Sequence, residues 1–445
     1  MHADDVIASF PPAFGAYLHV PFCTRICPFC PYNKVPDDQA LASRYFAALR
    51  REVDSYVAAM QQRPFTSLYV GGGTPTLHLD GIARAIDSLS VTGERAIEVL
   101  PTHATPERLA TLAAMGFTHI SLGVQSFNDD VLRHLKRPTT ASDNLRAVAN
   151  ASGRFACVDV DLIFDVAAER QDVFLADVER CFAAGVDQLS TYPLMRFGYT
   201  PFGKGGHDAR TEHEALARAA ELARHWGYER RSVWTFHRPS SPSYTSITRP
   251  AFLGLGAGSA SFTGESFLVN EFALPRYLAR LDAGKLPIAR EFHLPRAAAA
   301  AYTAFWQTYA GRLDPSLLRT MYGPGAATVV TGLFRALGVA GLAQAGERGF
   351  TLTPRGLDGF HDLERFVTYA FIEPLWEEML GGEPGSAASP DSDIPRWVRT
   401  SPPTARRLFA MARRLFEQRA GPGPARAGRP LAVVDGAAFD GTMQP

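Results

Sequence analysis

The sequence predicts an α/β fold in which parallel strands and helices alternate, followed by a mostly helical region. Short apolar runs alternate with stretches of helical periodicity between residues 16 and 226, and the polar and glycine-rich motifs fall at the ends of those runs. Near Leu294 the alternation stops and helical patterns take over. Right-handed parallel connections of this kind build a doubly wound sheet or a full or partial barrel, and both gather ligands at the carboxyl ends of the strands.

The first run, 16–20, leads into YLHVPFCTRICPFCPYNK at 17–34. Segment 38–60 then sets Leu41, Tyr45, Leu49, Val53 and Val57 on one helical face. Strand 67–70 runs into GGGTPT at 71–76 and a helix at 80–89. Strand 96–100 precedes helix 106–115, strand 119–123 precedes helices near 129–135 and 141–151, strand 157–163 precedes helix 171–184, and strand 188–192 precedes helix 212–226. Between 228 and 275 the pattern becomes irregular, with a strand expected at 231–236 and a glycine-rich loop, GLGAGSAS, at 254–261. Helices at 296–311, 315–322 and 326–337, a hairpin ending at 350–353 and a helix from Gly356 together suggest a winged-helix-like module; no basic recognition helix accompanies it.

These patterns divide the chain into an N-terminal arm (1–15), a core with its extension (16–292), a helical domain (293–380), a Gly, Pro and Ser-rich linker (381–403), and a basic amphipathic helix with a tail (404–445). The 445 residues include 45 basic and 45 acidic side chains, so net charge gives no argument for nucleic acid or an anionic membrane. The N-terminus has no secretory pattern and no apolar run is long enough for an integral membrane segment. A cytoplasmic protein is expected, in which reduced thiols suit an oxygen-sensitive site.

Of the five cysteines, Cys157 and Cys181 fall in strand and helix patterns and are expected to be core residues. Cys23, Cys27 and Cys30 are different: C-x3-C-x2-C directly after a strand is a ligand loop. Three thiolates can hold three irons of a cubane cluster and leave the fourth iron open. Zinc is the alternative, with His19 as a fourth ligand, although no second C-x2-C exists here. A structural disulfide would leave one clustered thiol unpaired.

CxxxCxxC after strand one with GGGTPT after strand two resembles the radical S-adenosylmethionine (SAM) superfamily, and the details resemble its coproporphyrinogen dehydrogenase-like branch. The resemblance implies a partial (β/α)6 barrel, a 4Fe-4S cluster on Cys23, Cys27 and Cys30, and reductive cleavage of SAM to a 5'-deoxyadenosyl radical. By the same resemblance Tyr17, Phe29, Gly72, Gly73 and Thr74 contact SAM, as do Glu98 of EVLP, Gln125 of GVQSF, Arg137 of LKRP and Asp161 of VDVDLI. Pro193 and Ala260 match apolar SAM contacts, the latter in a loop that helps to hold a second SAM. Physically, a carboxylate suits the ammonium group, an arginine the carboxylate, and a glycine run lets main chain approach a ligand closely.

Two departures shape the functional expectation. Tyr32 stands where the porphyrinogen-decarboxylating members have a further cysteine, and the histidine- and tryptophan-bearing stretch of the heme chaperones is replaced by SVWTFHRPSSPSYTSITRP. The resemblance then points to the group that uses two SAM molecules, the class C methyltransferases and cyclopropane-forming enzymes, acting on an sp2 carbon of a small-molecule substrate. An electron donor such as flavodoxin or ferredoxin is the implied partner. The alternative is a heme- or porphyrin-related protein, either a chaperone or a heme-degrading or coproporphyrinogen dehydrogenase-like enzyme. The loop TYPLMRFGYTPFGKGG, at 191–206, is the candidate substrate-facing segment.

Overall fold

The computed structural model describes residues 1–166, 171–203, 209–242, 249–373 and 376. The linker and basic helix expected beyond 380, together with Lys204, lie outside the described residues. Strands β1 (Gly15–Val20), β2 (Leu68–Gly72), β3 (Arg95–Val99), β4 (His119–Gln125), β5 (Cys157–Phe164) and β6 (Gln188–Pro193) lie side by side in chain order and run parallel. They are the centre of a 12-stranded sheet. Leu18, Val70, Ile97, Ile120, Val160 and Leu189 are fully buried, as expected where helices cover a parallel sheet.

The crossover helices are α2 (Gln39–Met60), α3 (Leu79–Ile86), α4 (Pro106–Ala114), α5 (Asp129–His134), α6 (Ala141–Ala151) and α7 (Gln171–Ala183), with α8 (Ala209–His225) after β6. Their starts are written in the sequence: the side chains of Asp38, Thr105, Asn128 and Thr140 accept from first-turn amides of α2, α4, α5 and α6. The N-terminal arm contains a short helix, α1 (Ala3–Ala8), that sequence patterning did not predict; its Val6 and Ile7, with Phe10 and Phe14, are buried.

Two expectations need correction between β6 and the helical region. The strand expected at 231–236 is broken into β7 (Glu229–Arg230) and β8 (Thr235–His237), an antiparallel pair beside β6, because Arg231 N donates back to Thr235 O at 3.0 Å and closes a turn. The loop expected at 254–261 begins inside a strand. β9 (Phe252–Leu255) runs parallel to β1 on the side opposite β2, setting Tyr17 against Gly254. β10 (Ala260–Phe262), β11 (Ser266–Asn270) and β12 (Ile288–His293) continue the sheet antiparallel. Gly254 interrupts the side-chain pattern of β9 and hid the strand.

Helix α9 (Leu274–Asp282) packs on α2. The C-terminal region holds α10 (Arg296–Tyr309), α11 (Pro315–Tyr322), α12 (Pro324–Val339) and α13 (Pro354–Val367) with a small antiparallel sheet of β13 (Arg312–Leu313), β14 (Ala343–Gly346) and β15 (Gly349–Leu352). One face of α13 docks at the β6 edge through a buried network. Trp234 Nε1 donates to His361 Nδ1, while His361 Nε2 and Arg365 Nη1 both reach Glu212, all at 2.9 Å. Cys157 and Cys181 are buried free thiols. Among the described residues no helix is long and apolar enough to cross a membrane.

Candidate active site

The cysteine loop leaves β1 at Pro21 and returns at Val35, where Phe22–Cys23 pairs with Val35–Pro36 as a short parallel ladder. Its turn is tied by Cys30 N donating to Cys27 O at 3.2 Å and by Lys34 Nζ donating to Cys30 O and Tyr32 O at 2.6 and 3.1 Å. All three cysteines are free thiols; Cys23 and Cys27 are buried and Cys30 is half-buried. Burial pushes the Cys23 thiol up to about 11, and the nearby Cys30 and Cys27 add to the shift. Lys34 opposes burial at Cys30, whose thiol still lies above its ordinary value.

The glycine run is explained first by this loop. Gly72 has φ +119°, and a Cβ on Gly73 would lie 2.6 Å from Phe22 O and 3.0 Å from Cys23 Sγ. Gly73 N donates to Val20 O and Thr74 N to Phe22 O, both at 2.7 Å, and Thr74 Oγ1 lies 3.7 Å from Cys23 Sγ. The main chain of 72–74 therefore packs against the cysteine loop. Gly72 N is engaged as well, by Glu98 Oε2 at 3.1 Å.

Glu98, on β3, also accepts from Tyr69 Oη at 2.6 Å, and burial pushes its carboxyl up to about 7, helped by Asp161. Tyr17 stacks on Tyr69 at 5.9 Å and its hydroxyl meets His19 Nδ1 at 2.8 Å. His19 Nε2 meets Asn33 O at 2.8 Å, so both ring nitrogens are engaged away from the thiols. Burial lowers its pKa to about 4. This geometry does not offer His19 as the fourth ligand that zinc would need.

Gln125 ends β4 in a left-handed conformation, φ 69°, beside a break in register between Leu122 and Gln125. Such backbone is costly for a residue with a side chain and concentrates at sites. Arg137, from the turn after α5, donates from Nη2 to Gly123 O at 2.6 Å and points Nη1 at Cys27 Sγ, 3.5 Å away; among the described residues its buried Nε has no hydrogen-bond partner. Asp161 accepts from Ser121 Oγ, and burial pushes its carboxyl up to about 6. Phe29 packs beside Val131, Leu135, Ile163 and Leu194.

Phe29, Gly72, Gly73, Thr74, Gln125 and Arg137 thus lie at or beyond the carboxyl ends of the parallel strands with the three cysteines, while Tyr17, Glu98 and Asp161 sit inside β1, β3 and β5. Pro193 ends β6, paired with Phe164, and Ala260 begins β10 on the antiparallel side, paired with Val269. Sequence reasoning missed Asn33, whose Nδ2 donates to Ala257 O and Phe272 O at 3.2 and 2.9 Å and ties the loop to the turn between β9 and β10. Nothing in its spacing marks it. Tyr69 was also missed, hidden inside an apolar run.

The residues present fit a three-cysteine cluster: clustered thiols, with Lys34 bonded to the Cys30 carbonyl and the Arg137 guanidinium beside Cys27 Sγ. Residues 17–166 match the family model described as the radical SAM superfamily. The chain is also similar to oxygen-independent coproporphyrinogen oxidases and heme chaperones. It is 35% identical over 224 residues to the heme chaperone HemW of Mycobacterium tuberculosis, covering 47% of this chain and 57% of that protein, little more than half its length. It is 27% identical over 314 residues to the oxygen-independent coproporphyrinogen III oxidase of Pseudomonas aeruginosa, covering 62% of this chain and 67% of that one. The solved structure of coproporphyrinogen III oxidase (HemN) from Escherichia coli shares the fold, with a TM-score of 0.69, 24% identity and coverage of 80% of this chain and 91% of that one.

Proposed function

We propose that this chain is a radical SAM protein that binds a tetrapyrrole and cleaves SAM reductively beside it. The observation that supports this best is the convergence of Cys23, Cys27 and Cys30 with Glu98 and Arg137 at one end of the parallel sheet. A 4Fe-4S cluster held by Cys23, Cys27 and Cys30 would supply the electron for reductive cleavage of the SAM sulfonium bond. The chain's own residues would position SAM. The unpaired Nε of Arg137 suits its carboxylate, and Glu98, already fixed by Tyr69 and Gly72, suits its ammonium group. Because the amides of 72–74 are engaged within the protein, the main chain there would meet a ligand through carbonyl oxygens. An external one-electron donor of the flavodoxin or ferredoxin kind would complete the system.

The tetrapyrrole is supported by the names of the relatives, a heme chaperone and coproporphyrinogen III oxidases. Methylation or cyclopropanation with a second SAM, expected from the sequence, has no counterpart among those names. It stands as the second reading because Tyr32 replaces the further cysteine of the decarboxylating members.

Anaerobic reconstitution with iron, sulfide, SAM and dithionite, with and without hemin, tests the proposal. The expected result is 5'-deoxyadenosine together with stoichiometric hemin binding. Accumulation of methylthioadenosine or S-adenosylhomocysteine would move the assignment to alkylation. Absence of both SAM cleavage and hemin binding would sink it.

A further inference from the structure

Beyond α13 the chain turns through a π-helical segment, Thr368–Ile372. Such a turn shifts the side chains that follow and is frequent at functional sites. Here it sets three side chains against the loop after β6. Tyr369 Oη accepts from Arg196 N at 2.9 Å, the Glu373 carboxylate accepts from Gly198 N, and the Trp376 ring stacks on buried Phe197 at 6.1 Å and 19°. Tyr369 and Tyr199 flank Phe197 at 5.9 and 5.4 Å. The candidate substrate-facing loop is thereby fixed to the C-terminal helix.

Trp376 also meets Tyr32, 5.9 Å away and tilted by 55°. Tyr32 lies two residues after Cys30, and 53% of its surface is exposed. A large ring left half exposed two residues from the thiols is unusual for packing alone. Nor does the loop require Trp376 to be fastened, since Tyr369 and Glu373 already hold its amides.

We propose that Tyr32 and Trp376 form an aromatic wall on which the planar conjugated ring of the substrate stacks, with Phe197 fixing Trp376 from behind. The inference rests on the tetrapyrrole reading and names how that ligand is recognised. Stacking needs π faces, not merely apolar volume, and this difference makes the wall testable.

Hemin titration of the reconstituted full chain, followed at the Soret band, compares Tyr32→Phe, Tyr32→Leu, Trp376→Phe and Trp376→Leu at matched iron content and far-UV dichroism. The phenylalanine variants are expected to bind close to wild type and the leucine variants about tenfold more weakly, the scale of one lost ring-on-ring contact. Leucine variants that bind as tightly as wild type, or losses equal in both series, overturn the wall and leave the tetrapyrrole reading standing. Wild-type protein that leaves the hemin spectrum unchanged overturns both.

Discussion

The α-carbon of Gly73 is lodged against Cys23: a methyl group there would sit 3.0 Å from the sulfur and 2.6 Å from the carbonyl oxygen of Phe22. The second strand-end motif is thus the seat of the first, and a side chain at this position moves backbone, not a flexible tip. Gly73→Ala is expected to lower iron incorporation on reconstitution several-fold, read from iron content and the broad visible absorbance. Gly359→Ala, where nothing lies within 4 Å inside α13, serves as the comparison and is expected to stabilise by roughly 0.5 to 1 kcal/mol.

Glu52 gives a pH signature away from the thiols. It is fully buried, accepts from Gly256 N, Tyr277 Oη and Asn270 Nδ2 at 2.9, 2.6 and 2.8 Å, and burial pushes its carboxyl up to about 7. Its proton leaves near the ordinary carboxylate range in the unfolded chain and near 7 in the folded one. Across that window the folded state binds more protons, so stability is full at the acid end and falls as pH rises through 7. The loss is on the order of 3 kcal/mol. Denaturant midpoints from pH 5 to 8 should fall more steeply for wild type than for Glu52→Gln; parallel profiles would refute the assignment.

Arg137 reaches Gly123 O and Cys27 Sγ from one planar group, a geometry that lysine cannot reproduce. Arg137→Lys is expected to weaken SAM binding about tenfold, the scale of one charge-assisted contact, while iron content is retained. Equilibrium dialysis with labelled SAM separates the two quantities.

Asn33 is the loop's anchor to the far side of β1. Asn33→Ala leaves the carbonyls of Ala257 and Phe272 without this donor and is expected to cost about 1 to 3 kcal/mol. Thermal unfolding of the apoprotein measures it without reference to the cluster.

Replacing Cys23, Cys27 or Cys30 by alanine is expected to abolish 5'-deoxyadenosine formation, since each removes one of three thiol ligands. Full turnover in any of the three variants would reject the cluster assignment.

By itself the sequence determined the alternation from β1 to β6, because apolar runs with period-appropriate spacing and polar caps such as Asp38 and Thr140 are local properties. It also marked the cysteine loop and the strand-end motifs, since one short segment carries all three thiols. Only the tertiary structure decided the rest. β9 is a four-residue run interrupted by Gly254 and is defined by pairing with β1 across more than two hundred residues. Asn33 is informative only through the carbonyls it meets. The meeting of Tyr32 with Trp376 depends on α13 docking at the β6 edge, where Glu212, Trp234, His361 and Arg365 interlock. Contacts between segments so distant carry no periodicity in the chain, because what selects them is complementary burial in three dimensions.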